Sequence, residues 1–159
     1  MIVDDIAGLR RILMGSRVIA VVGLSANWNR PSYFAAKYML EHGYTIVPVN
    51  PGPSEILGLK CYASLKEIPG KVDIVDCFRK SEDIPPLVDE AIAIGARVLW
   101  LQLGVINEEA ARRASAGGLE VVMDRCVKIE HARLFGGLHW AGVNTGVVSA
   151  KRMPPPPLA

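Results

Sequence analysis

Residues 17–32 read RVIAVVGLSANWNRPS. The first six are a short, unbroken, β-branched run, the pattern of a strand buried on both faces in a parallel sheet. Gly23 stops the run. A polar loop follows, and Pro31 and Ser32 suit the first turn of a helix. Strand, glycine, loop and helix in this order form half of a βαβ unit.

The same grammar recurs on either side. Upstream, Ile6, Leu9, Ile12 and Leu13 fall at helical spacing and predict a short amphipathic helix closed by Gly15 and Ser16. Downstream, a helix from about Pro31 to His42 is closed by Gly43. Further strands are predicted at Tyr44–Val49, Asp73–Phe78, Arg97–Leu101 and Leu119–Met123. Ser81 reads as the N-cap of a helix through about Ile94, with Glu82 and Asp83 favouring its dipole. Asn107 caps a helix to about Ala116, and Cys126–Phe135 forms one more. Alternation at this spacing predicts an α/β fold: a single Rossmann-like, doubly wound parallel sheet of about five strands with flanking helices. The predicted domain covers residues 1–152, and the proline-rich 153–159 form a disordered tail.

Composition narrows the function classes. A formal net charge of +2 with scattered cations gives no footprint for nucleic acid or an acidic membrane. No apolar run approaches the roughly 20 residues that span a bilayer. Three widely spaced cysteines without a C-x-x-C form neither a disulfide framework nor a zinc site. The expectation is a cytoplasmic protein, possible as a homo-oligomer, with a small-molecule ligand.

Ligands of such sheets bind outside the carboxyl ends of the strands. In the first loop, Gly23 lets backbone approach a phosphate, Ser25 and Ser32 add hydroxyls, and Arg30 adds a fixed positive charge. An ordinary βα turn with a solvated arginine has the same composition. After the second strand, Asn50 offers an amide and Pro51 stiffens the turn. After the third, Phe78, Arg79 and Lys80 put a ring and two cations at a strand end. Gln102 and Gly104 follow the fourth, and Asp124, Arg125 and Cys126 the fifth.

The first loop is not the dinucleotide fingerprint, because no G-x-x-G follows Gly23 and Asn50 stands where an acid would meet a ribose. Both departures count against the alternative, an NAD(P)-dependent oxidoreductase on the same fold. It is not a Walker A loop either. The three histidines join no catalytic motif: His42 lies at a helix end, His131 in a polar, solvated helix, and His139 in a Gly-rich segment. No metal-spaced acid cluster is present.

Taken together, residues 21–25 (VVGLS) with Asn27, Arg30 and Ser32, then Pro48–Pro51, Gly58, Phe78–Arg79, Trp100–Gly104 and Met123–Cys126 carry a resemblance. The segments 128–134 and 142–147 extend it. The chain resembles the small stand-alone CoA-binding proteins, the YccU-like group, from about residue 5 to 152. These are similar to the CoA-binding domain of the succinyl-CoA synthetase α subunit. The resemblance implies that coenzyme A, or an acyl-CoA, lies across the strand ends. It implies phosphate contacts at Gly23, Leu24, Ser25, Arg30 and Ser32, with Lys37 either reaching a phosphate or lying on a solvated helix face. Asn50, Pro51, Phe78 and Arg79 would frame the nucleotide, and Gln102 and Gly104 would lie nearer the pantetheine. The synthetase also uses a phosphorylated histidine in a second domain and an ATP-grasp partner, and no counterpart of either is read here. The expectation is therefore a non-catalytic carrier, sensor or regulator. Cys126 beside Arg125 suits a thiol that exchanges with CoA, or an inert one.

Overall fold

The computed structural model describes residues 1–136. The segment and tail at 137–159, including the expected end of the domain and His139, lie outside the described residues. The core is a five-stranded, wholly parallel sheet: β1 (Val18–Val22), β2 (Thr45–Val49), β5 (Ile74–Cys77), β6 (Val98–Leu101) and β7 (Glu120–Val122). Their spatial order is β2-β1-β5-β6-β7. The chain winds outward from β1 in both directions, so the switch point lies between β1 and β5.

Helices cover both faces. α1 (Ile6–Met14), α2 (Pro31–Glu41) and α5 (Val127–Phe135) pack on one side, against Ile19, Val21, Ile74, Val98, Trp100 and Val122. On the other, α3 (Ile84–Ala93) and α4 (Glu108–Ala116) cover Ala20, Val22, Val75, Cys77, Leu99 and Leu101. Burial on both sides is why the strands read as continuous apolar runs. Asp73 aligns two strand starts by accepting the amides of Arg17 and Val18 on Oδ2 at 2.8 and 3.0 Å.

The expected strands and helices are present, with four differences. Ser81 does not cap α3. Residues Ser81–Asp83 form a 3₁₀ turn, and α3 begins at Ile84 with Pro85 in its first turn. The Ser81 hydroxyl instead accepts the Ile106 amide at 3.0 Å. Between β2 and β5 there is more order than an irregular loop. A hairpin of β3 (Glu55–Ile56) and β4 (Leu59–Lys60) leads to Tyr62, whose amide donates to the Pro48 carbonyl and whose carbonyl accepts the Asn50 amide, flanking Val49 and shielding the β2 edge. Pro48 is tolerated because β2 is an edge strand. At the far edge, Val3 donates to Val121 at 2.8 Å. Of the α1 positions, Leu9, Ile12 and Leu13 are buried, but Ile6 faces solvent.

His131 departs furthest from expectation. It is only 7% exposed, enclosed by Tyr38, His42, Tyr44 and Phe135. The Tyr38 hydroxyl meets its Nδ1 at 3.0 Å. The polar look of the helix came from Glu130, which is itself buried and paired with Arg125 and Arg133. Burial, helped by His42, lowers the His131 pKa to about 4, whereas an unfolded histidine titrates near 6.5. A base with a depressed folded pKa contributes stability that is full above the unfolded value and lost as pH falls through the window between the two. In urea unfolding, His131→Phe should therefore lose less stability than the wild type between pH 6.5 and 4; parallel profiles would contradict this placement.

Candidate functional site

The carboxyl ends of the strands enclose a cleft of about 1130 Å³. That is slightly more than the usual range for drug-sized ligands, roughly 300–1,000 Å³. Its first wall is the loop from β1 to α2. Gly23 has φ +84°, and a Cβ placed there would come within 2.2 Å of the Phe78 carbonyl oxygen. The glycine is thus required by the crossing of two protein loops, a different reason from the phosphate approach inferred from sequence. The Gly23 amide donates to Val49 at 2.8 Å.

Beyond Gly23 the loop is held by its own side chains. The Ser32 hydroxyl accepts the Ser25 amide, and the Ser25 hydroxyl accepts the Asn27 amide, both at 3.0 Å. Each hydroxyl keeps its proton for another acceptor. Among the described residues no side chain caps the N-terminus of α2, where Arg30 occupies the N-cap position. Asn50 spends its amide within the protein. Nδ2 donates to the Leu24 carbonyl at 3.0 Å, and Oδ1 accepts the Gly52 amide at 3.4 Å.

Eight of the twelve residues singled out in the sequence line this cleft: Gly23, Ser25, Arg30, Ser32, Asn50, Phe78, Arg79 and Gln102. Four do not. Leu24 points into the core and is fully buried, so only its carbonyl serves the loop. Lys37 lies on an exposed part of α2, outside the lining residues. Pro51 is exposed outside the rim, and Pro53 takes its place. Gly104, at φ +86°, turns its amide to Asp124 Oδ1 at 2.7 Å and ties two loops together.

Lys80, Leu103, Val105, Cys126 and Ile129 complete the wall. Leu103 and Val105 straddle Gly104 and were masked by it in the sequence. Ile129 reaches the cleft from α5, a helix whose orientation no local pattern discloses. Arg125 does not face Cys126 with its charge. Its guanidinium bonds Glu130 at 2.7 Å and the Asp4 carbonyl at 3.0 Å.

Charge is unevenly distributed. Arg30, Arg79 and Lys80 border the cleft, and none forms an ion pair among the described residues. Asp83 is the one carboxylate among the lining residues. Behind Gln102 lies Asp76, only 1% exposed, which accepts Gln102 Nε2 at 2.6 Å on Oδ1. Burial pushes this carboxyl up to about 7, against the opposing hydrogen bond from Gln102. Among the described residues, no group of three or more His, Cys, Asp or Glu is placed to hold a metal ion. Nor, among them, is any helix long and apolar enough to cross a membrane.

Fold and cleft define a Rossmann-like α/β protein with a cationic cleft at its switch point. The chain belongs to the CoA binding domain family, whose model matches residues 17–132. It is 46% identical over 126 residues to the uncharacterized protein YneT of Bacillus subtilis, covering 79% of this chain and 93% of YneT. It is 30% identical over 131 residues to the acetate–CoA ligase (ADP-forming) II subunit alpha of Pyrococcus furiosus, covering 74% of this chain but 29% of that subunit. A solved structure of a hypothetical protein from Pyrococcus horikoshii superposes with a TM-score of 0.81 and 42% identity, over 84% of this chain and 94% of that one.

The Gly23 crossing is directly testable. Gly23→Ala combines a left-handed φ with a backbone clash, so a loss of about 1–3 kcal/mol in denaturant unfolding is expected, together with displacement of the first loop. Wild-type stability in this variant would mean that the loops do not cross as described.

Proposed function

We propose that this protein binds coenzyme A or an acyl-CoA across the carboxyl edge of the sheet and acts as a carrier, sensor or regulator with no reaction of its own. One observation carries the reading: three cations without ion-pair partners among the described residues border a single cleft. A polyphosphate anion supplies the missing counter-charge, and guanidinium groups bind phosphate oxygens through paired N–H donors. Arg30 with the uncapped start of α2 would hold phosphate, helped by the free protons of Ser25 and Ser32. Phe78 and Arg79 would meet the nucleotide, and Gln102, Leu103, Val105 and Ile129 the longer, less charged arm. Family membership supports the choice of CoA over other nucleotides.

Hydride transfer from NAD(P) finds less support. The Asn50 carboxamide, at the place of the ribose-binding acid, is committed on both sides to the protein backbone. Thioester ligation, the activity named for the archaeal relatives, belongs to proteins of which this chain matches 29% or less. The cleft itself offers no nucleophile paired with a base: among the described residues, Cys126 has no charged hydrogen-bond partner.

Calorimetric titration with CoA, acetyl-CoA, ADP and NAD tests the proposal. CoA should bind more tightly than ADP or NAD. Arg30→Ala and Arg79→Ala should each weaken CoA about tenfold, since a hydrogen bond to a charged group contributes about 1.5–3 kcal/mol. Tight NAD binding with indifference to CoA would overturn the reading.

A further inference from the structure

We propose that Asp76 is a positioning residue: it clamps the Gln102 side chain so that the carboxamide presents a set hydrogen-bonding edge to the uncharged, amide-bearing arm of the ligand. The inference rests on the reading of the cleft as a CoA site. Asp76 does not itself line the cleft and acts from behind Gln102.

Gln102 is 97% removed from solvent by its 3% exposure, yet it lines the cleft. A primary amide has a donor end and an acceptor end. With Nε2 committed to Asp76 at 2.6 Å, Oε1 is the end left for a ligand, and among the described residues it has no other hydrogen-bond partner. The arm of coenzyme A carries two secondary amides, whose N–H groups need an acceptor when they leave water. A buried site built to hydrogen-bond such a group discriminates strongly against ligands that lack it.

The clamp has a second state. A carboxylate can only accept, whereas a carboxylic acid also donates. On gaining a proton Asp76 holds Oε1, and the amide turns its NH₂ toward the cleft. A separation of 2.6 Å is short for N–H···O and ordinary for O–H···O, so an O–H donated by Asp76 fits the same seat. Burial places the exchange near neutral pH, the Asp76 carboxyl being pushed up to about 7.

Among the described residues no other charge competes for Asp76. Its strand neighbours are Val21 on β1 and Trp100 on β6. On the same face α2 contributes Ser32, Ala35 and Ala36, and α5 contributes Val127. The titratable groups nearby are engaged or turned away: Glu130 pairs with Arg125 and Arg133, and His131 with Tyr38. Cys126 borders the cleft beside Gln102. Cys77 lies on the opposite face of β5, and Arg79 follows it in the loop.

The test is calorimetric titration of the whole chain with CoA and with adenosine 3′,5′-bisphosphate, which lacks the arm, from pH 6 to 8. The ratio of the two affinities reports the arm together with the bisphosphate's own 5′-phosphate, which titrates at about pH 6 where the CoA pyrophosphate does not. Comparison of wild type with variant removes that shared part and isolates the arm. In Asp76→Asn, which cannot titrate, the ratio should keep only the ligand's own pH dependence, and the wild-type ratio should change by at least about threefold more than this over the same range. Gln102→Leu provides the same comparison if the aspartate variant fails to fold, and it should lose CoA affinity while retaining the bisphosphate. A wild-type ratio whose pH profile matches that of either variant overturns the clamp while leaving the CoA site standing. Failure of the wild type to bind either ligand overturns the CoA reading itself, and the clamp with it.

Discussion

Everything at the ligand-facing edge depends on one crossing. The chain leaves β1 at Gly23 and passes so close to the Phe78 carbonyl that a single added carbon would collide with it. β1 and β5 are the neighbours from which the sheet winds in opposite directions. Their loops must therefore part, and the space between them is the cleft. Close packing at Gly23 keeps the floor shut, so the opening lies above the strand ends and not between them. The Gly23 amide, bonded to Val49, and Phe78, bonded to Val22, lock three strand ends to one height.

From that fixed point the loops organise themselves largely without a ligand. Ser32, Ser25 and Asn50 each satisfy neighbouring backbone groups. Such internal bonds reduce the ordering that binding would otherwise demand. The cations are treated differently. Arg11, Arg113, Arg125 and Arg133 are paired with carboxylates; Arg30, Arg79 and Lys80, like several other surface cations, have no such partner among the described residues, but these three converge on one opening. Neutral backbone groups are satisfied within the protein, and positive charge is left facing the opening.

The sheet's polar interior follows the same division. Asp76 sits where Val75 and Cys77 on either side are wholly apolar in their surroundings. A buried carboxyl is costly unless hydrogen-bonded, and its bond goes to the one glutamine that reaches the cleft. The strand is thus apolar except at the position beneath the opening. In the sequence, DIVDC reads only as a strand interrupted by an acid. The partner of that acid is the first residue after the next strand, 26 positions away.

What the sequence determined by itself is local or periodic. Short, mostly apolar runs between glycine-bearing or polar loops marked the five strands, and 3.6-residue spacing with capping residues such as Asn107 marked the helices, because these follow from covalent geometry and side-chain burial alone. The glycine, serine and arginine of the first loop were legible for the same reason: their chemistry sits next to a strand end. The tertiary structure alone decided which side chains meet. It turned Lys37 and Pro51 away from the cleft, brought Ile129 into it, and buried His131 and Glu130 in a helix that looks polar. It also gave Gly23 its partner and Asp76 its clamp. Each of these rests on the packing of elements distant in the chain, and contact between such elements leaves no periodic trace in the residues that make it.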